Sequence, residues 1–91
     1  MSINVVLQEN KFVAVDFTDC FLEFAMDENN KIMDMYHTFV HESGRGKGLA
    51  EKITLVAFKH CKQQNLQVKP SCSYISSRFL SKHPEFKDIC V

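Results

Sequence analysis

All three glycines of the chain fall within five residues, as Gly44, Gly46 and Gly48, and the hydrophobic pattern has a different period on either side of them. Before them, short apolar runs rich in β-branched and aromatic residues alternate with turn clusters. Val5-Val6-Leu7 is one run, and Glu9-Asn10 separates it from Lys11 to Phe17. A third run, Cys20 to Met26, ends in the cluster Asp27-Glu28-Asn29-Asn30, and a fourth spans Lys31 to Val40. Such runs, joined by so few residues, predict an antiparallel meander of four strands. After the glycines, from Gly48 to Leu66, Leu49, Ile53, Val56, Ala57, His60 and Cys61 recur at helical spacing. Glu51, Lys52, Lys59, Lys62 and Gln63 occupy the opposite arc, and Leu55 and Phe58 off the main stripe imply cover on more than one side. Asn65 is the expected stop.

Beyond the helix, Leu66 to Ser71 reads as a fifth strand and Ser73 to Lys82 as a short helix carrying Tyr74, Ile75, Phe79 and Leu80 on one side. His83-Pro84 ends it, since the residue before proline avoids helical geometry. Strand, helix and returning strand make a right-handed parallel crossover. The expected fold class is therefore α+β, in the order ββββ-α-β-α. It is a mixed, mainly antiparallel five-stranded sheet with a long helix after strand 4 and a short C-terminal helix. Pro70 has no N–H to give, so the ladder is expected to break near it, beside Tyr36 to Val40, leaving main-chain groups for a ligand.

Composition bounds what such a fold can do. Ninety-one residues, 45% of them hydrophobic, suffice for one domain, 1–91, with a single core. Eleven basic and eleven acidic residues cancel. A phosphate backbone held by charge calls for a basic excess, so nucleic acid is not an expected partner. Cys20, Cys61, Cys72 and Cys90 form no C-x-x-C pair or zinc spacing, and no metal is expected. The N-terminus lacks the features of a secretory signal and no run approaches the ~18 apolar residues of a membrane span. The expectation is free thiols in a monomer of the cytoplasm or nucleus, with no membrane partner.

The glycine turn carries the functional signal. Positive φ lets a ligand approach the main chain, and the first N–H groups of a helix lack internal partners and carry the positive end of its dipole. Phosphate oxygens answer both deficits, and Arg45 and Lys47 add charge. A solvated glycine-rich connection into a helix is the other reading of the same residues. The Rossmann spacing and the Gly-Lys-Ser/Thr of a P-loop are both absent.

From His37-Thr38-Phe39-Val40 through Arg45-Gly46-Lys47-Gly48-Leu49-Ala50, the sequence resembles motif A of the GNAT superfamily of N-acetyltransferases. Lys69-Pro70-Ser71-Cys72-Ser73-Tyr74 and Lys82-His83-Pro84-Glu85-Phe86 are similar to its compact, single-domain YjdJ-like group. The resemblance covers most of the chain, from about Cys20 to Phe86, in the expected order. The resemblance implies acetyl-CoA as cofactor, with its pyrophosphate on the amides of Arg45, Gly46, Lys47, Gly48, Leu49 and Ala50. Its pantetheine arm is implied to run along the main chain of His37, Thr38, Phe39 and Val40. Ser43 replaces the Gln or Arg usual in the superfamily, and the elements that commonly shape the acceptor site are missing.

The implied activity is acetyl transfer from acetyl-CoA to an amine of unknown identity. A CoA-binding module with little turnover and a peptide-binding interaction domain are the alternatives. For chemistry, an N–H near Phe39 or Val40 suits a polarised carbonyl, and His37 suits a general base. A strand histidine bonded into the sheet is the plainer reading of His37. Cys72, ahead of a helix, matches a cysteine that lies near the cofactor sulfur in the compact group. A thiolate there, or a transient acetyl-cysteine, stands against a small buried hydrophobe. Tyr74 is a candidate proton donor to the leaving thiolate, or a core residue against the long helix. Ser73, Ser76, Ser77 and Lys82 match positions that contact the far end of the cofactor. His60 is read as a core histidine, His41 and His83 as loop or helix-end residues, and Cys20, Cys61 and Cys90 as structural.

Overall fold

The computed structural model of the protein describes residues 3–91. Five strands form one sheet in sequence order: β1 Val5–Gln8, β2 Lys11–Ala14, β3 Cys20–Asp27, β4 Ile32–Val40 and β5 Gln67–Lys69. The first four pair antiparallel, and β5 lies parallel to β4 after the helix α1, Leu49–Gln63. This is the mixed sheet that the sequence predicts. β2 is shorter than the run Lys11 to Phe17, because Phe17 turns back to donate to the Ala14 carbonyl at 3.2 Å. The β3–β4 turn is fixed by Asp27, whose two carboxylate oxygens accept from the backbone and side-chain N–H groups of Asn30.

Among the described residues, one face of the sheet is covered and the other is not. Phe12 and Ala14 of β2, Cys20, Leu22 and Phe24 of β3, and Met33 and Met35 of β4 are buried against Leu49, Ile53, Ala57, Phe58 and Cys61 of α1. On α1 the buried arc includes Thr54 and Phe58, whereas Val56, expected on the apolar stripe, is 38% exposed. Phe58 is drawn in by the C-terminal segment, stacking on Phe79 at 5.1 Å and meeting Phe86 at 5.2 Å. Cover on a second side thus decides its burial. His60 is half-buried with its ring edge-on to Phe12. α1 ends as expected: Asn65 takes φ 57°, Leu66 N–H reaches the Cys61 carbonyl at 2.8 Å, and Asn65 N–H reaches that of Lys62. These two bonds satisfy carbonyls left over at the helix end.

After β5 the chain forms a wide π-helical segment, Tyr74–Phe79, then α2, Leu80–Lys82, and a 3₁₀ segment, Pro84–Ile89. The last residues, which have no legible pattern, lie along β5: Cys90 bridges Val68 in parallel and Val91 N–H donates to the Val68 carbonyl at 2.9 Å.

Two irregularities shape β4. Glu23 pairs with His37 and Phe24 with Met35, so Tyr36 is an extra residue, a β-bulge. Side chains alternate across a strand, and the bulge resets the alternation: Met33 and Met35 face α1 before it, Thr38 and Val40 after it. The second irregularity is at β5, where pairing stops at Asp34–Lys69. The ladder ends next to Pro70, but not for want of a proline donor. Gln67 donates to β4, at the Lys31 carbonyl, while Val68 accepts from the tail, so by alternation residue 70 faces the tail. The break comes from the turn that proline favours: Ser71 N–H folds back onto the Lys69 carbonyl at 3.0 Å, and Cys72 N–H takes the Met35 carbonyl instead. From Tyr36 to Val40, no strand pairs with β4 on the β5 side among the described residues.

Candidate functional site

The connection from β4 to α1 is built from local rules. His41 accepts the Ser43 N–H on its Nδ1 at 3.1 Å, capping a single 3₁₀ turn, Glu42–Gly44. Gly44 packs tightly: a Cβ there would stand 2.8 Å from the Leu49 Cδ1 and 3.2 Å from the Cys20 Sγ. Gly46 and Gly48 are glycine for the other reason, with φ of 82° and 69°. A Cβ on either would meet nothing within 4 Å, so their backbone borders open space.

Gly48 is the N-cap of α1 and offers no side chain to its first turn. The first helical bond of the turn runs from Lys52 N–H to the Gly48 carbonyl, so the N–H groups of Leu49, Ala50 and Glu51 have no helical acceptor. They sit beside a cleft of about 300 Å³ lined by Val40, Gly44, Arg45, Gly46, Gly48, Leu49, Ala50, Glu51, Tyr74 and Lys82. That is the low end of the volume of small-molecule sites. The uncapped N–H groups, the open backbone at Gly46 and Gly48, and the Arg45 and Lys82 cations make it fit for a diphosphate.

The cleft therefore gathers Val40, Arg45, Gly46, Gly48, Leu49, Ala50, Tyr74 and Lys82 from the sequence expectation. Lys47 lies apart, donating to the Ser43 carbonyl at 3.4 Å with its ammonium 5.7 Å from the Phe17 ring centroid. Ser76 and Ser77 turn their hydroxyls back to the Ser73 carbonyl, Ser77 at 2.6 Å. Ser77 also lines an adjoining cleft with Tyr74, Arg78, Ser81 and Lys82. His37 is not in the cleft: it is exposed on the uncovered face of the sheet beside Phe21 and Phe39, with Phe39 on the same side.

Cys72 stands where β4 loses its neighbour. It is half-buried, and its Sγ lies 3.3 Å from the Thr38 Oγ1 on the inner face of β4. The other thiols have different surroundings. Cys20 and Cys61 are buried, and burial with Cys90 nearby pushes the Cys61 thiol up to about 12. Burial and Asp88 raise Cys90 as well. Burial, then the Glu51 charge, raises the Tyr74 phenol, which keeps its proton to hand.

Glu51 and His83 are the members of this region that hydrophobic periodicity hides. Glu51 occupies the polar arc of α1, yet its Oε2 lies 2.6 Å from the His83 Nε2, with the ring stacked on Phe79 at 4.6 Å. This bond lowers the Glu51 pKa and ties the His83-Pro84 turn to the first turn of α1. An acidic residue in the first turn together with a His-Pro stop was the available signal. Only folding brings them together, 32 residues apart.

A family model of GCN5-related N-acetyl-transferases matches residues 11–89 of the chain. Among solved structures, the NMR structure of a GCN5-like candidate N-acetyltransferase from Staphylococcus aureus is similar in fold. Its TM-score is 0.68 at 23% identity, over 98% of this chain and 88% of that one.

Proposed function

The chain belongs to the GCN5-related N-acetyltransferase family, and from that premise we propose that it transfers an acetyl group from acetyl-CoA to an amine. The observation that carries this reading is the uncapped first turn of α1, which opens onto a cleft that reaches Val40, the last residue of the unpaired half of β4. When bound, acetyl-CoA supplies an activated acyl group on a thiol leaving group.

The chain's own residues have separable tasks. The N–H groups of Leu49, Ala50 and Glu51 and the Arg45 and Lys82 cations hold the diphosphate. The main chain of Thr38 to Val40 offers an edge for an extended arm and an N–H for a developing oxyanion. Cys72, beside Thr38, marks the inner end of that edge. The phenol of Tyr74 stays protonated and donates to the departing thiolate. His37, across the strand from Thr38, takes the proton of the incoming amine.

Calorimetry with CoA tests the reading. The expected result is micromolar binding, weakened by salt, and weakened about tenfold by Arg45→Ala with an unchanged urea midpoint. An absence of heat, together with unmoved amide resonances over residues 44–50, overturns it. Release of free thiol from acetyl-CoA with amine present separates an enzyme from a CoA-binding module. Intact-mass analysis tests the acetyl-cysteine route, which requires an adduct absent from Cys72→Ser.

A further inference from the structure

The uncovered face of the sheet is ordered in two rows. One is apolar and crosses four strands in register: Val6 opposite Val13, Val13 opposite Phe21, Phe21 opposite Phe39. At about 4.8 Å per strand it runs about 14 Å. Val6 and Phe39, at its two ends, are each 38% exposed. The neighbouring row is polar: Lys11 opposite Glu23, Glu23 opposite His37. Where the rows meet, the Lys11 ammonium lies 4.6 Å from the centroid of the Phe21 ring, and Phe21 and Phe39 are 5.7 Å apart. The face thus already holds one primary ammonium, on an aliphatic stem, against an aromatic ring, with Glu23 at the register position facing Lys11. It adjoins the unpaired half of β4, since His37 and Phe39 flank Thr38 on the same strand.

Resting on the acetyltransferase reading above, we propose that this face is the acceptor surface and takes a lysine side chain of a polypeptide whose neighbouring residues are apolar. The Phe21 and Phe39 rings and the Glu23 carboxylate receive the ammonium that Lys11 imitates. The imidazole of His37, opposite Glu23, then accepts one proton from it, leaving the neutral amine with its lone pair free. The apolar row sets the class of partner. It is longer than a lysine stem, and among the described residues Phe21, His37 and Phe39 line none of the main clefts, which lie against α1 or the C-terminal segments. Small amines are held in concavities; an open row across four strands suits a segment of chain.

The test is an NMR titration of the full chain with the capped tripeptide Val-Lys-Val, its norleucine counterpart, and Nα-acetyl-lysine methylamide. The lysine tripeptide is expected to shift the ring resonances of Phe21 and Phe39 and to bind at least tenfold tighter than either of the others. Phe21→Leu and Glu23→Gln should each weaken it about tenfold. Lys11→Met should tighten it about threefold by removing the internal competitor, while Lys59→Met, the same charge change on α1, should not. Norleucine binding as tightly as lysine overturns the ammonium site, and lysine methylamide matching the tripeptide overturns the polypeptide. A dimer in sedimentation that Phe39→Asp abolishes gives the face to a second copy and also overturns the proposal. Calorimetry with CoA on the same samples keeps the two failures apart. Silent rings in a chain that binds CoA sink this inference alone, and shifted rings in a chain that ignores CoA sink the functional reading.

Discussion

The two halves of β4 share one backbone and one neighbour, β3, yet do different work. From Ile32 to Asp34 the strand is paired on both edges, the Met35 carbonyl takes the Cys72 N–H, and Met33 and Met35 are buried under α1. From Tyr36 to Val40 it keeps β3 and loses β5, and its side chains reach a thiol and a cleft on one face and an aromatic row on the other. The first half has spent its hydrogen-bonding capacity on the fold. The second has some left, and that difference turns a core strand into the edge of a site.

Mutations can break this contrast. The largest effect belongs to the buried half: Met35→Ala should lower stability by about 2–5 kcal/mol in urea denaturation. Thr38→Ala, which gives up one hydroxyl contact, should cost about 1 kcal/mol; equal losses would mean that the halves do not differ. Next comes Gly44→Ala, whose methyl would press on Leu49 and Cys20 and cost about 1–3 kcal/mol. Gly46→Ala, strained in φ but unobstructed, should cost about 1 kcal/mol. Smaller still is Pro70→Ala. Its missing donor faces away from β4, so stability should fall by about 0.4–1 kcal/mol through the freer unfolded chain while CoA affinity stays within about twofold. A tenfold loss of affinity would make proline itself the wedge that holds the cleft open.

The smallest effect is electrostatic. The His83 hydrogen bond lowers the Glu51 pKa, burial opposing it, so the stabilisation exists above the ordinary value of 4.5 and fades as pH falls through the lowered one. Glu51→Gln should therefore cost under about 1 kcal/mol at pH 7, the pair being partly exposed. Denaturation midpoints of variant and parent should converge as pH drops below 4.5. A gap that persists in acid would assign the contact to packing.

Sequence reading reached the strands, the long helix and the glycine turn because these rest on local chemistry: alternation, helical period, and φ at Gly46 and Gly48. It reached the break beside Pro70 but assigned the cause to the wrong edge, since the direction of a donor depends on which neighbours a strand acquires. The inward turn of Phe58 depends on Phe79 and Phe86, the Glu51–His83 contact spans 32 residues, and the pairing of the tail with Val68 has no periodicity to announce it. His37 and Thr38 are neighbours in the segment that resembles the family motif, and one pleat sets their side chains on opposite faces, which no local pattern announces.

Tyr36 has a consequence for how such chains can vary. Keep that extra residue but pair β4 with β3 residue for residue, and the alternation runs on unbroken: His37 and Phe39 swing inward and Thr38 and Val40 outward. Every substitution along β4 changes one side chain; loss of the bulge alone would exchange two whole sets. Related sequences should thus tolerate many replacements between residues 32 and 40 but lose the bulge only together with one residue of that stretch.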